Sequence, residues 1–369
     1  MNYQKISMSE AIALIIVIMV NQIFLGDAKY IFTTTLSSAW LNTIFIFIIA
    51  LVLVFVITKL YKKFTNLDIL DISKYIGGNI LKNIVSTISI IFFILSAAII
   101  LYYVSDSLEI IYLSNINIIF IQFVFLLGAT VCASRGINAI SKTNLIFIYV
   151  ITIPMIALGT FSVFNGHSEY YFPILGNGIK ETFFNNTTNI FAFSGLVYLF
   201  FITPFLNNTT EFNKISFISI ILSFLYLLYS VISLLMTFPF SDLTENLLSI
   251  HLLSRAISVG SFLERVDALY IFLWALSAFS YLSILIFYIC NTFKKITNIK
   301  NYTAMVFVVM TTIWGATLAI PNLAIFRLLH FSVFKYFSIG LLAIFIIILL
   351  IAYLKIKKNS HDINEIQKG

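Results

Sequence analysis

Apolar runs of helix-spanning length follow one another along the whole of this chain. Residues Phe45-Ile46-Phe47-Ile48-Ile49-Ala50-Leu51-Val52-Leu53-Val54-Phe55-Val56-Ile57 contain no polar side chain, and comparable runs recur to the last quarter of the sequence. About 20 such residues in a helix cross the ~30 Å hydrocarbon core of a bilayer. With 369 residues, 60% of them hydrophobic, 38 Phe and a mean hydropathy of +1.03, the chain carries more apolar surface than a water-soluble fold of this size can bury. The class is therefore a polytopic membrane protein. The runs are continuous and do not alternate, so the spans are helices and not strands of a barrel.

The net charge of +7 does not point to nucleic acid, since no basic run is interleaved with aromatics on a soluble segment. It fits basic loops on one membrane face. Cys132 and Cys290 fall near the inner ends of spans, so no disulfide is expected, and the four histidines are scattered. No cofactor or metal site is expected. The start of the chain has no small-residue cleavage site and reads as a first span rather than a removed signal.

The hydropathy pattern predicts ten helices: about 8–35 (interrupted), 39–61, 80–108, 116–133, 140–163, 187–209 (interrupted), 215–238, 262–292, 302–321 and 332–354. With the N-terminus inside, sixteen of the 22 basic residues fall on inner segments, Lys59, Lys62 and Lys63 among them. Both termini are then inside. The chain reads as a single polytopic domain over 1–369: a first half over about 7–163, an external loop 164–186, a second half over about 187–354 and a cytoplasmic tail 355–369. A second external loop spans 239–261. A short amphipathic helix is expected on the inner face around Leu67–Ile76.

The first and sixth runs are interrupted. The first, Ile12 to Val20, breaks at Asn21, Gln22, Gly26, Asp27 and Lys29. The sixth has its own interruption over Phe191-Ala192-Phe193-Ser194-Gly195-Leu196-Val197-Tyr198, followed by Pro204. These positions correspond in two sets of five helices, and paired interruptions are the sequence pointer to an inverted-repeat transporter fold. Unwound backbone in mid-membrane offers free N–H and C=O groups to a small zwitterion. The ligand is thus expected between spans 1, 3, 6 and 8, on Asn21, Gln22, Tyr103, Phe193, Gly195, Tyr198, Trp274 and Ser277. Packing glycines and interhelical hydrogen bonds are the competing explanation for Gly195, Asn21 and Gln22.

Glu264, Arg265 and Asp267 place three charges in four positions at the head of the eighth run. Charge is costly inside a bilayer and much cheaper near its surface. Their depth suits a structural or coupling role, with Arg265 paired to an acid. Glu264, Asp267, Ile271, Trp274, Ala278 and Tyr281 share one helix face by their three–four spacing.

Glu264-Arg265-Val266-Asp267 followed by Trp274 resembles the signature of the B subunits of bacterial endospore germinant receptors. Ile6-Ser7-Met8-Ser9-Glu10 resembles that family's opening. Arg135-Gly136 with Ile137-Asn138-Ala139-Ile140 is similar to the start of its fifth span, and Tyr171 to Gly178 to its external Pro…Gly loop. The resemblance covers essentially the whole chain. It implies an amino acid permease-like fold of the amino acid–polyamine–organocation (APC) superfamily, with a LeuT-like 5+5 inverted repeat. It implies the inner membrane of a spore-forming bacterium, a germinant receptor A subunit and a lipoprotein C subunit as partners, and a small germinant, commonly an amino acid, as ligand.

Two other functions come from different classes. An ion-coupled amino acid transporter would use the same fold, but coupling normally needs cation ligands or a titrating carboxylate at mid-depth, and Asp27, Asp106, Glu109, Glu264 and Asp267 all lie toward outer ends. A membrane-embedded enzyme finds no catalytic constellation among the sparse His, Cys, Asp and Glu.

Overall fold

The computed structural model describes residues 4–23, 25, 28–245, 249–256, 266–297 and 302–358. Among them the chain is helical throughout, with one isolated backbone bridge between Ile6 and Leu206 and no named strand. Seven helical stretches are long and apolar enough to cross a membrane, and three shorter apolar helices, Met8–Gln22, Ile118–Ser134 and Ala304–Leu318, stand beside them. The protein is an all-α membrane protein.

The first run forms two helices. Helix α1 (Met8–Gln22) starts in a capping box: Ser7 Oγ accepts from the Glu10 amide and the Glu10 carboxylate from the Ser7 amide. Helix α2 (Ala28–Thr35) follows the break, and a 3-10 turn leads into α3 (Ala39–Tyr61). Gly26 and Asp27, expected at the interruption, lie outside the described residues.

The predicted surface helix and third span are joined end to end in α4 (Ile69–Ile111). They remain distinct because Gly77 and Gly78 break the helix between them. Gly78 sits at φ 66°, ψ −159°, a conformation open essentially to glycine alone. Helices α5 (Ile118–Ser134) and α6 (Ile137–Asn165) complete the first half of the chain.

The sixth run is the least regular. Thr187–Tyr198 is wound as a 3-10 helix with non-helical backbone at Phe193 (φ −103°, ψ 24°), within the expected interruption, and continues as α7 (Leu199–Ile202). Next come α8 (Phe212–Thr237), the short α9 (Phe240–Glu245) and α10 (Ser249–Ala256) within the 239–261 segment, α11 (Val266–Thr297) and α12 (Tyr302–Leu318). The last run is longer than expected. It starts at α13 (Leu323–Leu328), passes through a π-helical turn over Leu329–Phe334 and ends in α14 (Lys335–Lys358).

Burial sorts these helices into an inner and an outer set. From Ala13 to Gln22 every α1 side chain is buried, as expected of a helix apolar all round that lies inside a bundle. The same holds for Ala97–Val104 of α4, Phe191–Phe205 of the sixth run and Tyr281–Cys290 of α11. By contrast α3, α5, α12 and α14 turn Ile48, Phe120, Val308 and Ile347 outward, forming an apolar band suited to lipid tails.

Ahead of α1, the Ile6 amide donates to Phe205 O (2.8 Å) and the Asn207 amide donates to Ile6 O (3.0 Å). The Lys5 ammonium reaches Pro204 O at 3.0 Å. The start of the first run is thus tied to the end of the sixth.

Candidate functional site

The two interrupted runs cross where Gly195 meets α1. A Cβ on Gly195 would lie 2.6 Å from Met19 Cγ and 3.4 Å from Ile18 Cγ2, so only glycine permits this approach without displacement. One turn further along α1 stand Asn21 and Gln22, 0% and 1% exposed.

The Asn21 amide nitrogen donates to Val17 O (2.8 Å), Ser277 Oγ (2.8 Å) and Ser277 O (3.3 Å). Two of these acceptors are carbonyls, so exchanging the amide's oxygen and nitrogen would set oxygen against oxygen, and the orientation is fixed. Gln22 Nε2 donates to Tyr281 OH at 3.1 Å. The same hydroxyl meets Ser96 Oγ at 2.7 Å and Tyr198 OH at 3.0 Å. Six neutral side chains from α1, α4, the sixth run and α11 therefore form one buried polar cluster.

Asn21 Oδ1 and Gln22 Oε1 are buried in it with no hydrogen-bond partner among the described residues. A buried unsatisfied acceptor costs about 1–3 kcal/mol. Two of them at one helix end make a place where an N–H or O–H donor of a small ligand is favoured.

Of the residues singled out from sequence, Asn21, Gln22, Tyr198 and Ser277 meet in this cluster. Tyr103 and Trp274 form a neighbouring layer, their rings 5.6 Å apart and edge to face, with Phe326 stacked on Tyr103 at 5.2 Å. Seven residues of α4 separate Tyr103 from Ser96, about 10 Å along the helix. Gly195 lies beside the cluster and touches α1. Phe193 turns toward α3, its ring 6.4 Å from Phe47. Ser96 and Tyr281 escaped the list of expected site residues; each is a polar group in an otherwise apolar stretch, a signal too common for hydroxyls in membrane helices.

The face proposed for the eighth span does point inward, since Ile271, Trp274, Ala278 and Tyr281 are all buried. Glu264 and Arg265 lie outside the described residues, as does the side chain of Asp267. Cys132 is half-buried and Cys290 buried, both as free thiols.

A second polar group, unannounced by sequence, sits at the opposite end of α11. Lys295 Nζ lies 2.6 Å from both Asp68 Oδ2 and Asp71 Oδ2, with Lys295 5% and Asp68 0% exposed. Asp68 also caps α4, its Oδ1 accepting from the amides of Leu70 and Asp71. Asp68 stands just ahead of α4, outside the spanning helix. Burial pushes its carboxyl up to about 7, against the pull of Lys295 and with the push of Asp71. One lysine neutralises one carboxylate, and the buried second one is held toward its protonated form.

Among the described residues no group of three or more His, Cys, Asp or Glu is placed to hold a metal ion. Fold and site together define a polytopic helical membrane protein with a neutral polar cluster at two helix breaks. The chain belongs to the spore germination protein family, whose profile matches residues 5–322. A comparison with the curated proteins finds no match.

Proposed function

We propose that this chain is the membrane subunit of a spore germinant receptor, and that it binds a small nutrient germinant, an amino acid, at the cluster of Asn21, Gln22, Tyr198 and Ser277. The observation that carries the reading is the pair of buried, unpartnered acceptors on Asn21 and Gln22, set where α1 ends and the 3-10 segment of the sixth run crosses it. Family membership supports the germination role. Ten spans, both termini inside, and a LeuT-like repeat of five plus five are part of the proposal. Seven long and three shorter apolar helices support it, as do the two broken runs.

The six described side chains of the cluster are all neutral. That favours a sensor over a proton-coupled transporter, which draws on a titrating carboxylate; a cation-coupled transporter would instead use backbone carbonyls and hydroxyls at the same helix breaks. A sensor needs only a ligand that binds one of two states better than the other. Broken helices provide the element with two arrangements. Glu264, Arg265 and Asp267, which lead in sequence into the eighth run, are assigned a coupling role toward the A subunit and the lipoprotein C subunit.

The test is germination of spores lacking this chain, complemented with wild type or with Tyr198→Phe and Ser277→Ala, over a concentration series of single amino acids. The reading requires that the deletion abolish the response to at least one amino acid and that both variants raise the concentration needed. Normal germination without the chain would end it.

A further inference from the structure

We propose that the cleft between the ends of α3 and α8 binds the headgroup of an anionic phospholipid. It is a cavity of about 320 Å³, and Lys62, Asn66, Thr210 and Asn213 stand around its exposed rim. Tyr61 and Phe212 close its floor, both buried and with ring centroids 5.1 Å apart. No carboxylate lines it among the described residues; Glu211 faces a separate opening beside Ser7 and Asn207. A second cation reaches the rim, as Lys5 Nζ donates to Asn66 Oδ1 at 3.3 Å.

Depth sets the ligand class. Helix α3 has 23 residues, about 35 Å at 1.5 Å per residue, just longer than the hydrocarbon core. Lys62 follows its last residue and so stands at headgroup level. From there an exposed apolar stripe runs back along α3 through Phe55, Val52 and Ile48, with Lys59 Nζ 5.7 Å from the centre of the Phe55 ring. A matching stripe of Ile218, Ile221 and Leu225 runs along α8. Deeper in, Phe47 and Phe224 stack at 3.8 Å and hold the two helices together. Ile48 to Lys62 spans about 21 Å, more than the ~15 Å depth of one leaflet. The surface thus offers a basic, hydrogen-bonding pocket for a phosphodiester and two apolar ridges for the acyl chains below it. A free phosphate would use the first feature only.

The experiment uses the full chain purified in a neutral detergent, with dioctanoyl phosphatidylglycerol, dioctanoyl phosphatidylcholine and inorganic phosphate as probes. Bound lipid is read by native mass spectrometry and by the shift in Tm. Phosphatidylglycerol is expected to bind at least tenfold more tightly than phosphatidylcholine. Lys62→Gln should weaken it about five-fold and Lys62→Arg should restore it. Inorganic phosphate should not displace it at matched concentration. Equal binding of the two lipids, or Lys62→Gln and Lys62→Glu without effect, overturns the site. Displacement by inorganic phosphate at the lipid's own concentration overturns the lipid assignment in favour of a free anion.

Discussion

The Asn21 amide nitrogen lies 2.8 Å from the Ser277 hydroxyl and 3.3 Å from the Ser277 carbonyl, so one side chain holds the end of α1 to the middle of α11. Asn21→Ala strips a donor from both and leaves Val17 O without its side-chain partner. The expected loss is about 1–3 kcal/mol, read as a lower Tm of the solubilised chain. The germinant concentration for half-maximal response should rise together with it. An unchanged Tm and an unchanged dose-response would show that the bond carries neither stability nor signal.

Tyr281 is the hub of the cluster, since its hydroxyl meets Ser96, Tyr198 and Gln22. Tyr281→Phe should therefore cost more than Tyr198→Phe. The double variant should be non-additive by about 0.5 kcal/mol or more, as for residues sharing a network. Additive losses in a thermal denaturation series would mean that the two tyrosine hydroxyls act separately.

Gly195→Ala places a methyl 2.6 Å from Met19 Cγ, an atom midway along its side chain and not a free tip. Overpacking of this kind costs about 1–3 kcal/mol. The variant should reach the membrane at reduced abundance, and Met19→Ala in the same chain should restore part of it. Full abundance of Gly195→Ala alone would show that α1 gives way easily.

Lys295→Met leaves Asp68 and Asp71 without their cation. For a buried pair broken on one side the cost is about 3–5 kcal/mol. Asp68→Asn keeps the helix cap and should cost under about 1 kcal/mol. Its pH behaviour differs as well. The folded carboxyl titrates at about 7 against an ordinary value of 3.8, so the native state holds the proton more tightly between these values. The contribution of this carboxyl to stability is then fully present below about pH 4, falls as pH rises toward 7 and is lost above it. Wild-type Tm should be lower at pH 7.5 than at pH 5, and Asp68→Asn should narrow that gap. Equal gaps in the two proteins would place the titration elsewhere.

Topology is checked with single cysteines in a chain whose Cys132 and Cys290 are replaced by Ala. Lys62→Cys should be labelled by an impermeant maleimide only after the membrane is opened, and Lys180→Cys in intact cells. The reverse pattern would invert the orientation assigned from basic residues.

Much of this arrangement was legible in the sequence because membrane helices announce themselves locally. The runs around Ile46, Val85 and Ile348 needed only length and composition. Asn21 and Gln22 stood out as amides in an apolar run. What stayed hidden depends on contacts between distant parts of the chain. Nothing near Asp68 announces Lys295, 227 residues away, and Ser96 becomes notable only when Tyr281 arrives beside it. The break of the sixth run falls at Phe193, inside the Phe191–Tyr198 stretch read as interrupted, although no single residue type there marks the position.

The two backbone bonds between Ile6 and the Phe205–Asn207 segment have a mechanical consequence. They lash the entrance of the first run to the exit of the sixth, so these two ends of the broken helices share one hinge plate. Neither stub can tilt away without shearing those bonds or taking the other along. A displacement begun at the cluster would therefore emerge at the membrane surface as a single stroke, delivered by two helix stubs swinging in step.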